Sequence, residues 1–373
     1  MTSGFDVIVL GAGIVGSACA MEFVRAGFRV AVVEREEALS GATAAGMGHV
    51  VAMDGSPAQL AITNYSRSLW RELAPDLPDD VELEVRGTIW VAVDEDEMRE
   101  VHAKRETFGA AGIESQVLDS RELADAEPNL RPGLAGGLLV PGDCVIHPPA
   151  AAAFFLGEAI RGGAVLLRGQ PAERIANGRV TLKDGASYSA DKIVVATGVD
   201  TNLLRWLPIQ KRKGHLIITD RYPGFLHHQL VELGYTKSAH SITTDSVAFN
   251  IQPRPNGQVI IGSSRQYSSE TEGVEPRMLE TMLQRAQSYM PALAQMPGIR
   301  SWAGFRAATP DKLPLIGATS DPGIFVAVGF EGLGITSAPG AARLLVDSLL
   351  GRASEIDRTP FLPSRVAQTP SHV

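Results

Sequence analysis

The chain has 373 residues, of which 45% are hydrophobic and 20% charged, a composition typical of a globular enzyme with about two domains. Its net charge of −8 argues against nucleic acid or an anionic membrane as a partner. Two cysteines, Cys19 and Cys144, are too few for a disulfide framework, a cysteine-rich zinc site or an iron–sulfur cluster, and we predict no metal site. Because it shows no signal-peptide pattern and no apolar run near ~18 residues, we expect a cytoplasmic protein.

The first predicted elements are typical of dinucleotide binding. Residues 7–10 (VIVL) form an apolar strand, which Gly11, Gly13 and Gly16 follow as G-x-G-x-x-G before an amphipathic helix. Gly11 allows the tight turn, Gly13 lets backbone approach a pyrophosphate, and Gly16 lets helix and sheet pack closely. The helix N-terminus then offers N–H groups and a positive dipole end to the phosphates.

A carboxylate completes this pattern. The helix stops at Gly27, and a second apolar run at residues 30–33 ends in Glu34, which lies 18 residues after Gly16. That spacing suits a carboxylate that binds ribose hydroxyls. The motif alone does not distinguish FAD from NAD.

The following elements alternate between helix and strand. Small residues dominate 40–48 and suit backbone lying against a large flat ligand; a surface loop is the alternative. Predicted next are a helix at 57–73, a strand at 87–93, a helix at 95–111, and a short helix at 118–128 capped by Asp119 or Ser120.

The middle of the chain predicts further elements of the nucleotide-binding layer and then a second domain. Residues 147–161 form a helix, 164–167 a strand, 179–182 and 187–190 a hairpin, and 192–196 a buried strand. From residue 213 the pattern changes, with antiparallel strands at 215–219, 246–252 and 258–262 and a helix at 276–290.

A second glycine loop lies near the C-terminus. A strand at 324–328 leads into residues 329–334 (GFEGLG) and then a helix with Pro339 expected in its first turn. An NAD dehydrogenase does not need this loop. Reduced flavin carries negative charge around N1, which a helix N-terminus stabilises, so the loop favours FAD.

These motifs, with the segments SGATAAGMGH, VVATG and GFRAATPDKLPLIG, resemble in order the FAD-dependent D-amino-acid oxidase superfamily over nearly the whole chain. The resemblance is narrower to the branch of glycine oxidase, sarcosine oxidase β-subunit and D-amino-acid dehydrogenase, and most specific to D-hydroxyproline dehydrogenase. It implies a mixed α/β fold in which an antiparallel-sheet substrate domain is inserted into a Rossmann-like FAD domain, as in p-hydroxybenzoate hydroxylase. The expected FAD domain comprises 1–85, 141–208 and 302–355, the substrate domain 86–140 and 209–301, and a loose tail 356–373.

The resemblance also implies which residues hold a non-covalent FAD. Expected at the pyrophosphate and adenosine are the three glycines of the first motif with Ile14, Val15, Glu34, Arg35, Ala172 and Gly198. Expected around the ribityl chain and the ring are Thr43, Met47, Gly48, Gly329, Phe330, Gly332, Leu333, Gly334, Ile335 and Thr336.

Arg306 is the residue expected to bind substrate, because the family has an arginine there that binds the substrate carboxylate. A guanidinium clamps a carboxylate bidentately and so fixes the position of Cα–H. The implied reaction is hydride transfer from Cα of an amino or imino acid to flavin N5, with an imine as product. His49 and Glu331 are the other catalytic candidates, a proton holder and an amine contact, each with a structural alternative.

Other polar residues are weaker candidates. His215 is expected on a strand with a structural role, although a pocket position is the alternative, and Tyr235 and His240 are weaker still. His227 and His228 lack metal-like spacing and are expected at the surface.

The resemblance favours cis-4-hydroxy-D-proline or D-proline as substrate and a dehydrogenase over an oxidase. Glycine is in doubt because some glycine-oxidising relatives have a basic residue near Gly332. The alternatives are an oxidase of glycine, sarcosine or another small amine acid, an enzyme of 2-hydroxy acids or polyol phosphates, an NAD dehydrogenase, and a non-catalytic flavin-binding subunit. The electron acceptor would be oxygen, a quinone or a partner protein, the last within a hetero-oligomer.

Overall fold

The computed structural model describes residues 4–36, 39–234, 245–267 and 271–366. Their helices are α1 (Ile14–Arg25), α2 (Ala42–Ala45), α3 (Pro57–Leu73), α4 (Glu95–Ala110), α5 (Ser120–Ala126), α6 (Pro148–Arg161), α7 (Pro276–Tyr289) and α8 (Gly334–Leu349). Their strands are β1 (Phe5–Leu10), β2 (Val30–Glu34), β3 (His49–Val50), β4 (Thr88–Ala92), β5 (Gln116–Asp119), β6 (Gly136–Val140), β7 (Cys144–Val145), β8 (Val165–Arg168), β9 (Ala172–Ala176), β10 (Arg179–Leu182), β11 (Ser187–Val195), β12 (Gln210–Thr219), β13 (Gln229–Glu232), β14 (Ser246–Pro253), β15 (Val259–Arg265), β16 (Gly298–Ala308), β17 (Leu315–Ala318), β18 (Ile324–Val328) and β19 (Phe330–Glu331).

The first sheet has the strand order β17-β18-β11-β1-β2-β8, with the β9–β10 hairpin attached to β11. Strands β18, β11, β1, β2 and β8 are mutually parallel. Residues 7–10 of β1 and all of β2 are buried, as expected for parallel strands covered on both faces. Helix α1 packs between α6 and α8 on this sheet. The carboxyl ends of the parallel strands therefore meet along one edge.

The second sheet has the order β19-β16-β12-β15-β14-β13-β4-β6-β5 and is antiparallel except between β13 and β4. Its long pair, β12 with β16, keeps register from Gln210 opposite Ala308 to Ile218 opposite Arg300. Strand β16 continues through residue 302, where we expected a domain boundary, so residues 298–308 lie in the second sheet. The predicted mixed α/β class is confirmed.

A single glycine joins the two sheets near the C-terminus. Strand β18 belongs to the first sheet and β19 to the second, and only Gly329 lies between them. Its φ of +80° favours glycine, and a Cβ there would lie 2.5 Å from Thr309 Cγ2. This turn brings the carboxyl edge of the first sheet against the second sheet.

Local signals account for several element boundaries. Asp119 caps α5 in a capping box with Glu122, as the sequence predicted, and Ser56 caps α3 by accepting the Gln59 N–H. The expectation of a loose tail from residue 356 is wrong for Phe361, which is 1% exposed in the core of the first sheet. An aromatic side chain that finds apolar partners holds such a segment in place despite its prolines.

Candidate active site

A cavity of about 630 Å³ lies between the carboxyl edge of the first sheet and one face of the second. It is lined by the three catalytic candidates Arg306, His49 and Glu331. Of the expected cofactor residues it is lined by Gly11, Gly13, Ile14, Val15, Glu34, Arg35, Thr43, Met47, Gly48, Ala172, Gly198, Gly329, Phe330, Gly332, Leu333, Gly334 and Ile335. The structure therefore brings together residues that are up to 324 positions apart in the chain (Gly11 to Ile335).

Gly16 and Thr336 do not line the cavity but support its walls. A Cβ on Gly16 would overlap the carbonyl oxygen of Gly11, which is the close helix–strand contact that the motif predicts. Thr336 Oγ1 donates to the His49 carbonyl at 2.9 Å and accepts the Val51 N–H at 3.3 Å. This hydroxyl joins the start of α8 to the segment that carries His49.

Glu34 lies at the end of β2 with its carboxylate turned back toward the glycine turn. Oε2 accepts the Ala12 N–H at 2.7 Å, and Oε1 accepts the Glu36 N–H at 3.0 Å. Each oxygen of an ionised carboxylate has a further lone pair, so both can still accept a hydroxyl from the cavity. Glu34 thus stabilises the glycine turn and also presents a hydrogen-bond acceptor to the cavity.

Two helices point their N-termini at the cavity. Helix α1 begins after Gly13 and α8 after Leu333, and neither N-cap residue makes a side-chain cap bond. The Ile14 N–H is bound by Thr43 Oγ1 at 3.0 Å, which ties α2 to the glycine turn. The remaining N–H groups and the two dipoles favour negative charge in the cavity.

Pro339 lies inside α8 and not in its first turn as we expected. A proline in a helix leaves the carbonyl four residues earlier without its N–H donor. Here that carbonyl belongs to Ile335, and Trp70 Nε1–H donates to it at 3.3 Å and to the Thr336 carbonyl at 3.0 Å. The indole of α3 therefore stabilises the turn that the proline would weaken.

Arg306 projects from β16 over the neighbouring strand β12. Its Nη1 donates to the Ser264 carbonyl at 3.0 Å. Its guanidinium lies where a side chain on Gly214 would be, so glycine at that position makes the room. A planar cation fixed in this way on the cavity wall is suited to a carboxylate ligand.

Glu331 is surrounded by arginines. Its Oε1 lies 3.2 Å from Arg212 Nη1 and 3.5 Å from Arg265 Nε. Burial alone would raise the pKa of Glu331, but Arg265, Arg306 and Arg212 hold it below its usual range. The carboxylate is therefore ionised and already paired, which does not suit a general base.

His49 lies on β3, and its Nε2 is buried with no hydrogen-bond partner in the part of the chain that the structure describes. Burial lowers the pKa of His49 to about 4. The imidazole is neutral near pH 7, so it can accept or donate one hydrogen bond but is a weak proton acceptor.

His215 has the structural role that we expected and does not line the cavity. It is completely buried, its Nδ1 lies 2.9 Å from Ser264 Oγ, and its Nε2 accepts the Glu275 N–H at 3.1 Å. His228 is not simply a surface residue, because its Nδ1 lies 2.9 Å from the buried carboxylate of Glu127. Tyr235 and His240 lie outside the described residues. The described ranges contain no group of acidic, histidine and cysteine side chains that could hold a metal ion.

Sequence reasoning missed several polar residues on the second sheet. Asn250, Ser263 and Trp90 all line the cavity, and each has a buried polar side-chain atom without a hydrogen-bond partner among the described residues. The indole of Trp90 also lies under Lys104, whose Nζ is 4.2 Å from the ring centroid. The available sequence signal was the alternation of apolar and polar residues in β14 (Phe-Asn-Ile-Gln). In the structure both polar residues of this stretch are buried.

A family model described as DAO, FAD dependent oxidoreductase, matches residues 6–348. The chain belongs to this family. FAD is therefore its cofactor, and the described cavity fits it, since two helix N-termini without a side-chain bond from their own N-cap residues and glycine-lined edges face one long space. Gly13 lines the cavity and has no side chain, so backbone is the cavity surface there.

Several relatives of this FAD-dependent oxidoreductase have names that describe enzymes of amino acids. Glycine oxidase of Geobacillus kaustophilus is 27% identical over 382 aligned positions, covering 98% of each chain. A crystal structure of glycine oxidase from Geobacillus kaustophilus has a TM-score of 0.87 at 25% identity, covering 97% of this chain and 99% of that one. D-amino acid dehydrogenase of Allorhizobium ampelinum is 27% identical over 83% of this chain and 73% of its own.

A further solved structure shows the fold alone. L-proline dehydrogenase from P. horikoshii has a TM-score of 0.87 at 22% identity, covering 98% of both chains. No described helix is long and apolar enough to cross a membrane. Both cysteines are buried, and burial raises the pKa of each thiol to about 12, as suits small packed side chains.

Proposed function

We propose that this FAD-dependent oxidoreductase oxidises a small D-amino or cyclic imino acid, with cis-4-hydroxy-D-proline or D-proline as the best candidates, and works as a dehydrogenase. Arg306 carries the proposal. Its guanidinium lines the cavity from the second sheet, across from the glycine-rich edge of the first, and the Ser264 carbonyl fixes it. A carboxylate bound there is held between the substrate sheet and the cofactor edge.

The proposal assigns the first-sheet edge to the nucleotide. Gly11 to Gly16 and Glu34 would hold the pyrophosphate and the adenosine ribose, with Ala172 and Gly198 near the adenosine. Thr43 to His49 and the 329–336 loop would enclose the ribityl chain and the ring. The N-terminus of α8 would then lie where negative charge develops on reduction.

When bound, FAD supplies the hydride acceptor, and the chain's own residues supply position and electrostatics. Arg306 would bind the carboxylate with two parallel hydrogen bonds and so fix Cα–H. The imidazole of His49, neutral because burial holds its pKa near 4, would exchange a hydrogen bond with a neutral amine. No strong general base is needed if the amine binds deprotonated, and most of the acceleration would come from orientation.

Glu331 has a different role in this proposal from the one first expected. Its carboxylate is held by Arg212 and Arg265, so it would act as their counter-ion and not as the contact for the amine. Arg306 also lowers the pKa of Glu331, so its guanidinium belongs to the same charged cluster on the cavity wall. Cations fixed there would stabilise a bound carboxylate and negative charge on the reduced ring.

A second candidate is an oxidase of glycine, sarcosine or another small amine acid. The glycine oxidase of Geobacillus kaustophilus, 27% identical over nearly the full length, favours it. Gly332 weighs against glycine itself, because that position lines the cavity without a basic side chain.

The test is anaerobic reduction of the purified flavoprotein by a panel of D- and L-amino acids, prolines and 2-hydroxy acids. We expect D-amino or imino acids to bleach the oxidised flavin. Bleaching by 2-hydroxy acids alone would move the activity to that class, and no bleaching by any amino acid would leave a non-catalytic flavin-binding subunit. Repeating the assay with oxygen, a quinone and cell extract identifies the acceptor and any partner protein.

A further inference from the structure

Strands β14 and β15 form an irregular floor in the substrate half of the cavity. Asn250 pairs with Gly262 and Val247 with Ser264, so three steps along β14 oppose two along β15. One extra residue in β14 makes this a β-bulge, a feature that re-aims side chains and occurs often beside active sites. Asn250 and Ser263 lie at the bulge on adjacent strands.

Both side chains have a polar atom that nothing in the described part of the chain satisfies. Asn250 is 6% exposed and Ser263 3%, and both line the cavity. Asn250 Oδ1 and Ser263 Oγ are buried without a hydrogen-bond partner among the described residues. Native proteins keep few such atoms unless a ligand or ordered water satisfies them.

The bulge lies beside the carboxylate clamp. Arg306 donates to the carbonyl of Ser264, the residue after Ser263, and its guanidinium lies over Gly214 of β12. Two strand spacings separate β12 from β14, which places the Asn250 backbone roughly 10 Å from that of Gly214. A substrate bound at Arg306 would reach Asn250 only with side-chain or ring atoms beyond Cα. Glycine as a substrate has no such atoms.

The chemistry of the two residues selects the group they bind. Asn250 Oδ1 accepts a hydrogen bond, whereas the Ser263 hydroxyl can donate or accept one. Neither is charged, and apolar side chains of Leu216, Val231 and Met47 line the same cavity. The charged neighbour Arg265 also lines it and lies 3.5 Å from the Glu331 carboxylate. A hydroxyl fits both Asn250 and Ser263, since it donates to the amide oxygen and accepts from the serine.

We propose that Asn250 and Ser263 form a hydroxyl-recognition subsite, so that the preferred substrate is an amino or imino acid with an uncharged hydroxyl on its side chain or ring. This inference rests on the proposed function and adds a specificity determinant to it. The carboxylate would bind at Arg306 and the hydroxyl at the bulge, with Cα between them.

The test uses matched substrate pairs, proline with cis-4-hydroxyproline and valine with threonine, in the enantiomer that reduces the flavin. In the wild-type holoenzyme we expect kcat/KM to favour the hydroxylated member by roughly 10-fold or more. In Asn250→Leu, which keeps a similar volume, the ratio should collapse toward one because the hydroxylated substrate loses most. Ser263→Ala adds no volume and supplies the same test if Asn250→Leu does not retain FAD.

Gln252→Leu is the matched control. Gln252 lies two residues along β14, is 2% exposed and also has a buried amide oxygen without a partner, but it does not line the cavity. It should keep the wild-type ratio. The subsite would be overturned if Asn250→Leu lowered kcat/KM equally for both members of a pair. It would also be overturned if the wild-type enzyme did not prefer the hydroxylated member. If no amino acid reduces the wild-type flavin, the proposed function fails first and the subsite falls with it.

Discussion

The two ends of the cavity are built in different ways. At the proposed nucleotide end, Gly11 to Gly16 and Glu34 come from one strand–helix–strand unit, and spacing along the chain fixes their geometry. At the proposed substrate end, Arg306, Ser264, Asn250 and Gly214 come from four strands and meet only through sheet register. The first end can be read from a local motif, whereas the second depends on pairings between distant segments. We therefore expect single substitutions at the second end to change substrate specificity without loss of cofactor binding.

Removing Arg306 should separate the two ends most sharply. We expect Arg306→Ala to lower kcat/KM for amino acids by roughly 10²–10³, or about 3–4 kcal/mol, because a desolvated carboxylate loses its charged partner. FAD content should stay near the wild-type level. Arg306→Lys keeps the charge but loses the planar fork and should recover only part of the loss. Stopped-flow anaerobic reduction measures this, and wild-type rates in Arg306→Ala would rule out the clamp.

Glu34→Gln tests the nucleotide end. It replaces a carboxylate that accepts the Ala12 N–H, and we expect the dissociation constant of FAD to rise by roughly 10- to 100-fold. With saturating FAD, kcat should remain close to wild type. Titration of apoprotein with FAD gives the constant, with Glu36→Gln, an exposed neighbour, as control. A large fall in kcat at saturating FAD would show that the two ends are not separable.

His49 lies where the two ends meet, and it predicts a pH dependence of stability. Its folded pKa of about 4 is below the ordinary 6.5, so the unfolded chain takes up the proton first as pH falls. The contribution of neutral His49 to the free energy of unfolding is therefore complete above pH 6.5. It falls by roughly 2–3 kcal/mol as the pH is lowered toward 4. Denaturant midpoints of the holoprotein from pH 7 to pH 4 should show it, and His49→Asn should remove this component. Identical pH profiles would contradict the burial of a neutral imidazole.

Trp70→Phe should have the smallest effect. It removes the N–H that satisfies the Ile335 and Thr336 carbonyls but keeps most of the aromatic packing. We expect a loss of about 1 kcal/mol in the free energy of unfolding, with substrate preference retained. An unchanged melting temperature would show that water replaces the indole.

The sequence predicted the elements whose signals are local. The glycine turn, the β10–β11 hairpin and the cap at Asp119 follow from residues within a few positions of each other. The prediction that Pro339 lies in the first turn of its helix was wrong, because the compensating hydrogen bond comes from Trp70, which lies 265 residues before Ile335. The sequence did not predict the pairing of Glu331 with Arg212 and Arg265 or the bulge beside Asn250, because both depend on contacts between different strands.

The most direct test of the central claim is a crystal structure of the holoenzyme with a bound substrate or a carboxylate inhibitor. The account predicts the pyrophosphate against the first glycine turn, the ring between the 329–336 loop and the second sheet, and the ligand carboxylate hydrogen-bonded to Arg306. A carboxylate bound away from Arg306, with that guanidinium making no hydrogen bond to the ligand, would contradict it.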